Sequence, residues 1–340
     1  MGKESEAVKT QTGALKKAQE WMAKSGAYIY IAFILLWIIM AILVPGFKSV
    51  SNTINVLKQA SINGILAIGV TFVIITGGID LALGSIVALT GTIGALLAST
   101  REVPGAFFQP IEGGFPIVVV VVLSILVGVA CGFISGVVTA KGNVPAFIAT
   151  MGMMTIARGA ALLMSRGGTV PYVTDEFIAL GGSYVFGSIP ILVVIFIAVF
   201  IVASIILYFT KFGRHVYAVG GNETAAYVSG MNVDAVKIAV YVISGFCSGL
   251  AGLLLASRIS CGSPVVGQGF ELDAIAACVI GGTSLSGGKG KLLGTLVGVL
   301  ILGVMSNGLD MLNVNSYYQQ MIKGVITIAA VWFDSRRPAN

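Results

Sequence analysis

Several ionisable side chains lie within or at the edge of long apolar stretches, among them Asp80, Arg158, Glu271 and Asp273. A charged side chain at the centre of a lipid bilayer costs roughly 2.5–3.5 kcal/mol on insertion scales. A residue in such a place therefore needs a partner, a water-filled cavity or a function. These four residues are candidates for lining the path of a polar solute.

Asp80 follows Gly77 and Gly78 between two apolar stretches, and two roles are open for it. Its carboxylate could cap the next helix, because side-chain oxygens accept hydrogen bonds from the free N–H groups at a helix start. It could instead contact a substrate directly. The sequence favours the capping role.

Glu271 and Asp273 stand two residues apart before an apolar run, which is typical of acids in the first turn of a helix. In that turn they favour the positive end of the helix dipole. A cation site made by the pair is the alternative. Arg158 lies inside a predicted span, where we expect it to face a polar cavity or a neighbouring helix.

The sequence contains no recognisable catalytic constellation. A phosphate-binding loop needs GxxxxGK followed by Ser or Thr. The nearest stretch, residues 282–289 (GTSLSGGK), has one residue too many before the lysine, and Gly290 follows it. The single histidine, His215, lies in a basic loop, and the four cysteines lack CxxC spacing. We therefore predict no metal site, no bound cofactor, no histidine proton relay and no ATP site of the chain's own.

The composition indicates a membrane protein. Hydrophobic residues make up 56% of the 340 and charged residues 10%, against about 25% charged residues in ordinary soluble chains. Apolar runs of about 20 residues fit membrane-spanning helices and exceed the ten or so residues of a barrel strand. This excludes a soluble protein and an outer-membrane barrel. The net charge of +6 does not indicate nucleic acid, because the basic residues lie at the ends of the spans.

The apolar segments predict an all-α bundle of about ten transmembrane helices. They are residues 28–46, 59–77, 80–99, 115–139, 145–165, 190–210, 236–258, 265–283, 291–312 and 318–334. With the N-terminus inside, 13 of the 20 Lys and Arg residues fall in the cytoplasm, 5 outside and 2 within spans. The positive-inside rule thus agrees with both termini in the cytoplasm, although segment 265–283 is weak. Residues 1–27 form a lysine-rich cytoplasmic tail and residues 28–335 the transmembrane domain.

Glycines recur four residues apart and predict close contacts between helices. The pattern occurs in three segments: Gly128–Gly132–Gly136, Gly245–Gly249 and Gly290–Gly294–Gly298. Two other stretches resemble each other, residues 77–81 (GGIDL) and 281–285 (GGTSL). Paired glycine-interrupted segments point to a substrate site at mid-membrane, so Gly77, Gly78, Gly281 and Gly282 join the candidates. Internal duplication and chance are both open explanations of the likeness.

The longest predicted cytoplasmic connection covers residues 211–237. In it, a break at Gly220 and Gly221 precedes a short helix that Asn222 can cap and Gly230 can end. We predict that this connection is a coupling loop, and its candidate residues for coupling to a partner protein are Gly220, Gly221, Asn222, Glu223, Ala225, Ala226 and Gly230. A short helix with small residues on one face suits docking in a groove of another protein. A surface helix without a partner is the alternative.

The pattern Glu223-x-Ala225-Ala226-x-x-x-Gly230 resembles the EAA loop of permease subunits in ATP-binding-cassette importers. The surrounding sequence is similar to the ribose-type monosaccharide permeases, within the branched-chain amino acid and monosaccharide permease family. The likeness covers about residues 45 to 335. It rests on residues 144–150 (VPAFIAT), 212–214 (FGR), 218–223 (AVGGNE), 271–277 (ELDAIAA), 281–290 (GGTSLSGGKG) and 77–81.

The resemblance implies a permease fold and a transport mechanism. An extracytoplasmic sugar-binding protein would deliver a monosaccharide, such as ribose, to a permease dimer, which we expect to be a homodimer in a bacterial inner membrane. A separate ATPase, which binds ATP and magnesium, would dock on the helix from Glu223 to Gly230. ATP would then switch the dimer between outward-facing and inward-facing states. The chain itself would be a non-catalytic transport subunit.

Two other classes of function compete with this interpretation. An ion-coupled secondary transporter of a small polar solute would take up its substrate without ATP, and the scarcity of acids and histidine in the spans disfavours it. A membrane enzyme would need a catalytic cluster at one membrane face, and the sequence offers none.

Overall fold

The structure is a computed structural model that describes residues 27–109, 111 and 113–335. The predicted cytoplasmic tail, residues 1–27, lies outside the described residues except for Ala27. Arg336 and Arg337, which entered the charge count, also lie outside them.

The described residues fold into thirteen helices and one small β-hairpin. The helices are α1 (Ala27–Leu43), α2 (Val50–Ile75), α3 (Leu83–Ala98), α4 (Ile117–Ala140), α5 (Ala146–Ser165), α6 (Asp175–Gly182), α7 (Ile191–Phe209), α8 (Lys211–Gly221), α9 (Glu223–Val228), α10 (Val233–Arg258), α11 (Phe270–Ile280), α12 (Leu292–Met311) and α13 (Ser316–Ser335). The strands β1 (Tyr184–Val185) and β2 (Ile189–Pro190) pair antiparallel. This hairpin is a small departure from the predicted all-α class.

The long helices run between two ends of one bundle. We call the end that carries α8 and α9 the coupling end, and the end that carries α6 and the β-hairpin the hairpin end. Basic residues predicted outside lie at the hairpin end, where Lys58 is 2.8 Å from the Tyr184 hydroxyl and Arg101 lies over the Tyr172 ring. Lys237, predicted inside, lies at the coupling end beside Glu223. These three basic residues thus lie at two different ends, in the grouping that the sequence predicts, and which side of the membrane each end faces stays a prediction.

Six of the described helices, α2, α4, α5, α7, α10 and α12, are long and apolar enough to cross a membrane. Two shorter apolar helices, α1 and α3, run alongside them. The structure is predominantly helical, as predicted. The number of spans, predicted as about ten, stays a prediction. The difference lies mainly in the weak segment 265–283 and in α13.

Segment 265–283, the weak one of the ten predicted spans, is not one continuous helix. Its helix, α11, has 11 residues and a length of about 16 Å, which is about half of the hydrocarbon thickness of a bilayer. The preceding stretch is held out of helical geometry by Pro264 and by two glycines with positive φ, Gly267 (+75°) and Gly269 (+82°). The chain still passes from Arg258, which lies beside Gly181 at the hairpin end, to Gly288, which lies beside Gly221 at the coupling end.

Helix α10 is the centre of the bundle and packs against α2, α3 and α4. Its contact with α4 is made through the predicted glycine pairs. A Cβ atom placed on Gly128 would lie 2.5 Å from the carbonyl oxygen of Gly245 and 2.7 Å from the Cα atom of Gly249. The two backbones approach this closely because neither helix carries a side chain there. The prediction of close contacts is confirmed for this pair of helices.

A second glycine contact joins α11 to α12. Gly294 and Gly298 on α12 face the carbonyl groups of Gly281 and Ala277, so that a Cβ atom on either glycine would collide with backbone. The half-length helix α11 is thus fixed along one side. Its other neighbours are α2, α3 and α13.

Candidate functional site

The predicted coupling connection folds into two helices in place of one. Residues 211–221 form α8, and α9 follows after the single residue Asn222. The Asn222 side-chain oxygen accepts a hydrogen bond from the Ala225 N–H at 2.9 Å, so the predicted cap is confirmed. Gly230, with φ of +82°, lies in the turn after α9, which is the predicted end of the helix.

Helix α9 presents apolar side chains to its surroundings. Tyr227 is 73% exposed and Val228 is 79% exposed, whereas Ala226 is buried against the bundle. Exposed Tyr and Val beside each other on a short helix form an apolar surface at the coupling end.

Gly220 and Gly221 do not break the chain as predicted, because they are the last two residues of α8. Gly220 instead allows a close approach, since a Cβ atom there would collide with the carbonyl oxygen of Ile75 at the end of α2. The same carbonyl accepts a hydrogen bond from the Gly288 N–H at 2.8 Å. The end of α8 is therefore packed against both α2 and the connection that follows α11.

Tyr217 adds a second link between α8 and that connection. Its hydroxyl donates a hydrogen bond to the Gly290 carbonyl at 2.7 Å. Burial raises the pKa of Tyr217 to about 12, so the phenol keeps its proton at neutral pH and stays a donor. Helix α8 is thus held to the bundle at two places.

An ion pair joins α9 to α10 at the edge of a cleft. Lys237 Nζ lies 2.7 Å from a carboxylate oxygen of Glu223. The cleft has a volume of about 300 Å³, and both Gly77 and Gly78 line it together with Tyr241. The structure thus brings the predicted coupling residue Glu223 to the same cleft as two of the predicted path residues.

Asp80 lies deeper in the bundle and is 2% exposed. One carboxylate oxygen accepts a hydrogen bond from the Ala82 N–H at 2.9 Å, and the other accepts one from the Ser244 hydroxyl at 2.6 Å. Helix α3 begins at Leu83, so the bond is made one residue before the helix. The predicted cap is therefore displaced: Asp80 stabilises the turn that leads into α3 and ties it to α10.

Arg158 faces neighbouring backbone, in agreement with one of its two predicted surroundings. Its guanidinium donates hydrogen bonds to the carbonyl groups of Pro264 at 2.6 Å and Val266 at 2.8 Å. These carbonyl groups belong to the non-helical stretch before α11. We call the passage from Arg258 to Gly288, which contains this stretch and α11, the broken crossing. No helix supplies hydrogen-bond partners in its non-helical stretch. Arg158 therefore satisfies backbone groups that would otherwise lack a donor within the apolar bundle.

Glu271 and Asp273 lie in the first turn of α11, as predicted, but they point to different surroundings. A carboxylate oxygen of Glu271 accepts a hydrogen bond from the Gly269 N–H at 3.2 Å. Asp273 instead forms an ion pair of 2.7 Å with Lys323 on α13. The two acids do not converge on one site. Among the described residues no group of three or more His, Cys, Asp or Glu could hold a metal ion.

The predicted path residues thus fall into separate places. Gly77 and Gly78 line the cleft at the coupling end, Asp80 lies behind it, and Arg158 supports the broken crossing. Gly281 and Gly282 end α11, where Gly281 packs on the start of α12. Gly281 thus serves helix packing, whereas Gly282 adopts a positive φ of +88° in the turn that follows the helix.

Three residues that complete these contacts lie on one face of α10: Lys237, Tyr241 and Ser244. Tyr241 donates a hydrogen bond to the Ile79 carbonyl at 3.2 Å, between the contacts of the other two. Their spacing of four and three residues is a helical polar stripe within an apolar span, and this signal could have found them. Their partners, Glu223, Ile79 and Asp80, are distant in sequence and could not be read from it.

Comparisons with known proteins identify the family of the chain. Residues 52–331 match the family described as branched-chain amino acid transport system, permease component. The ribose import permease protein RbsC of Haemophilus influenzae is 45% identical over 312 residues, which cover 90% of this chain and 92% of that protein. RbsC of Escherichia coli K12 is 41% identical over 96% of this chain and 98% of its own length.

A third relative, RbsC of Bacillus subtilis, is 41% identical over 91% of this chain and 92% of that protein. No solved structure gives a significant match. The resemblance drawn from the loop motif and its surroundings is confirmed by these matches, which extend over most of the chain. The chain belongs to the family of permease components that is described under branched-chain amino acid transport systems.

Proposed function

We propose that the chain is the permease subunit of an ATP-binding-cassette importer that carries ribose across the bacterial cytoplasmic membrane. The observation that carries the proposal is the similarity to ribose import permeases over nearly the whole length of both chains. The helical bundle with its apolar spans supports transport across a membrane. No catalytic role is assigned to the chain.

The proposed complex contains partners that perform the steps the chain does not. An ATPase docks on the exposed face of α9 and binds ATP and magnesium, so the permease itself holds no cofactor. A sugar-binding protein docks at the hairpin end and delivers the monosaccharide. A second copy of the chain completes the passage. In this arrangement the coupling end and both termini face the cytoplasm.

The contacts at the coupling end suggest how ATPase movement reaches the spans. A displacement of α9 acts on α10 through the Glu223–Lys237 ion pair. One turn further along α10, Tyr241 holds the Ile79 carbonyl, and Ser244 holds Asp80. A movement of α10 therefore also moves the chain segment between α2 and α3. We propose that this segment changes between two states, which ligands at either end can bias.

The proposal is tested with proteoliposomes that contain the chain, its ATPase and external ribose-loaded binding protein. We expect ribose uptake to require ATP on the side of the membrane where the ATPase is bound. We also expect uptake to persist when ionophores dissipate the H⁺ and Na⁺ gradients. Vesicles that contain the chain alone are the control and should take up no ribose. Uptake by the chain alone that stops with the ion gradient would establish an ion-coupled secondary transporter instead.

A further inference from the structure

A groove of about 700 Å³ lies between the start of α11 and the first half of α13. Its volume falls in the range of about 300–1,000 Å³ that is usual for small-molecule sites. Its polar lining comes from Gln268, Ser316, Gln319, Gln320, Thr327 and the Asp273–Lys323 ion pair. Its apolar lining includes Phe270, Leu272 and Ile328.

The groove lies in the half of the bundle nearer the hairpin end. Helix α11 begins inside the bundle and runs to the coupling end, whereas α13 starts at the hairpin end. Gln319, near the start of α13, is held there by a hydrogen bond of 2.7 Å to Asp310. The groove therefore connects the hairpin end with the start of a half-length helix, which is where transporters place substrate sites.

The polar residues of the groove require a water-filled environment. Asp273 and Lys323 are charged groups in apolar segments, and their side chains are 14% and 25% exposed. Gln268 and Gln320 are exposed on the same groove. Ionisable and amide groups at membrane depth face a bundle interior or a water-filled cavity, because contact with lipid tails is costly. The groove thus fits one wall of a hydrated passage better than a surface against lipid.

The chemistry of this wall suits a sugar. Two amide side chains can donate and accept hydrogen bonds at once, as can vicinal hydroxyl groups, and the carboxylate adds acceptors. Phe270 and Leu272 provide apolar surface for the carbon face of the ring. Because the Asp273 charge is paired with Lys323, the site carries no unpaired charge that would favour an ionic solute.

We propose that this groove is a transport subsite for a neutral monosaccharide, and that Gln268 and Gln320 contact its hydroxyl groups. The inference rests on the proposed function and adds the residues that hold the sugar during its passage. The second copy of the chain is expected to cover the groove from the opposite side.

The first test compares Gln268→Ala and Gln320→Ala with wild type in the reconstituted importer described above. We expect each variant to lower the maximal rate of ribose uptake about five-fold, as expected for the loss of one or two hydrogen bonds. Thr155→Ala, which alters an exposed polar residue on α5 that does not line the groove, is the matched control. Wild-type rates in both glutamine variants would overturn the subsite. Failure of the wild-type complex to import ribose would overturn the proposed function and the subsite with it.

The second test detects the sugar without relying on transport rate. Gln320→Cys is made in a Cys261→Ser background, because the other three cysteines are buried, and is reacted with a membrane-impermeant maleimide in the assembled importer. We expect labelling that is slowed by ribose-loaded binding protein and not by the unloaded protein. A cysteine that never reacts would place the groove against lipid, and a cysteine whose labelling ignores the sugar would place the sugar elsewhere. Either result would overturn the subsite.

Discussion

At the scale of single residues, the structure uses charged and polar side chains to support backbone that is not helical. Arg158 donates to two carbonyl groups of the broken crossing, and Asp80 accepts from the turn before α3. In a bilayer, each backbone group without a partner costs several kcal/mol. These ionisable residues therefore have structural roles in the bundle, in addition to any contact with a transported solute.

We expect Arg158→Ala to lower the free energy of unfolding by about 2–4 kcal/mol, because two buried carbonyl groups lose a charged donor. The measurement is thermal unfolding of the purified protein in detergent. Arg158→Lys should recover only part of the loss, since an ammonium group lacks the planar fork of the guanidinium. Lys141→Ala, at an exposed site, is the control, and an equal effect of the two alanine variants would contradict this role of Arg158.

At the scale of the elements, close packing of α4 on α10 depends on glycine at the points of contact. Gly128 and Gly245 each face the other helix's carbonyl oxygen. On α5, by contrast, Gly159 has no atom within 4 Å of the position a Cβ would take. Some glycines of this chain are therefore required for close helix packing, whereas others, such as Gly159, are not.

Gly128→Ala is expected to destabilise the protein by about 1–3 kcal/mol, because the added methyl group forces the two helices apart. Gly159→Ala is the matched variant. It should leave stability unchanged or raise it by up to about 1 kcal/mol, since alanine is the better helix former. The comparison is made by thermal unfolding in the same detergent. Equal stability of the two variants would contradict the prediction, because it would show that the packing of α4 on α10 tolerates a methyl group at position 128.

The ion pair between α9 and α10 gives a prediction about coupling and not about stability. Glu223 is 55% exposed, and exposed pairs contribute only about 0–1 kcal/mol to folding. We expect Glu223→Lys to leave the Tm almost unchanged while the ribose transported per ATP hydrolysed falls at least about three-fold, because like charges then repel α9 from α10. The double variant Glu223→Lys with Lys237→Glu should restore the ratio. If the double variant transports as little ribose per ATP as the single variant, Glu223 acts in coupling without its ion pair to Lys237, and the prediction is wrong.

The sequence predicted elements whose signals are local and missed those that depend on distant contacts. The Asn222 cap and the Gly128–Gly132 helix face follow from spacing alone, and both are present. The end of α8 at Gly221 and the start of α11 at Phe270 were misplaced. Gly220 serves a contact with Ile75, 145 positions earlier in the numbering, and the region before α11 is shaped by bonds to Arg158. The groove of α11 and α13 was missed for the same reason.

At the scale of the whole molecule, the two ends of the bundle differ in what they offer to partners. The coupling end carries the exposed apolar face of α9, and the hairpin end carries the β-hairpin with Phe186, which is 93% exposed, at its turn. Basic residues follow the same division. A bundle with two such ends fits a subunit that receives a solute from one partner and energy from another.

The docking of the ATPase on α9 is the central claim, and site-specific cross-linking in the assembled importer tests it most directly. Tyr227→Cys on α9 and Phe186→Cys at the hairpin turn, two exposed aromatic sites at opposite ends, are each treated with a short photoreactive cross-linker. We predict a covalent product with the ATPase from position 227 and none from position 186. A product with the ATPase from position 186, or none from position 227 in a complex that imports ribose, would contradict the account.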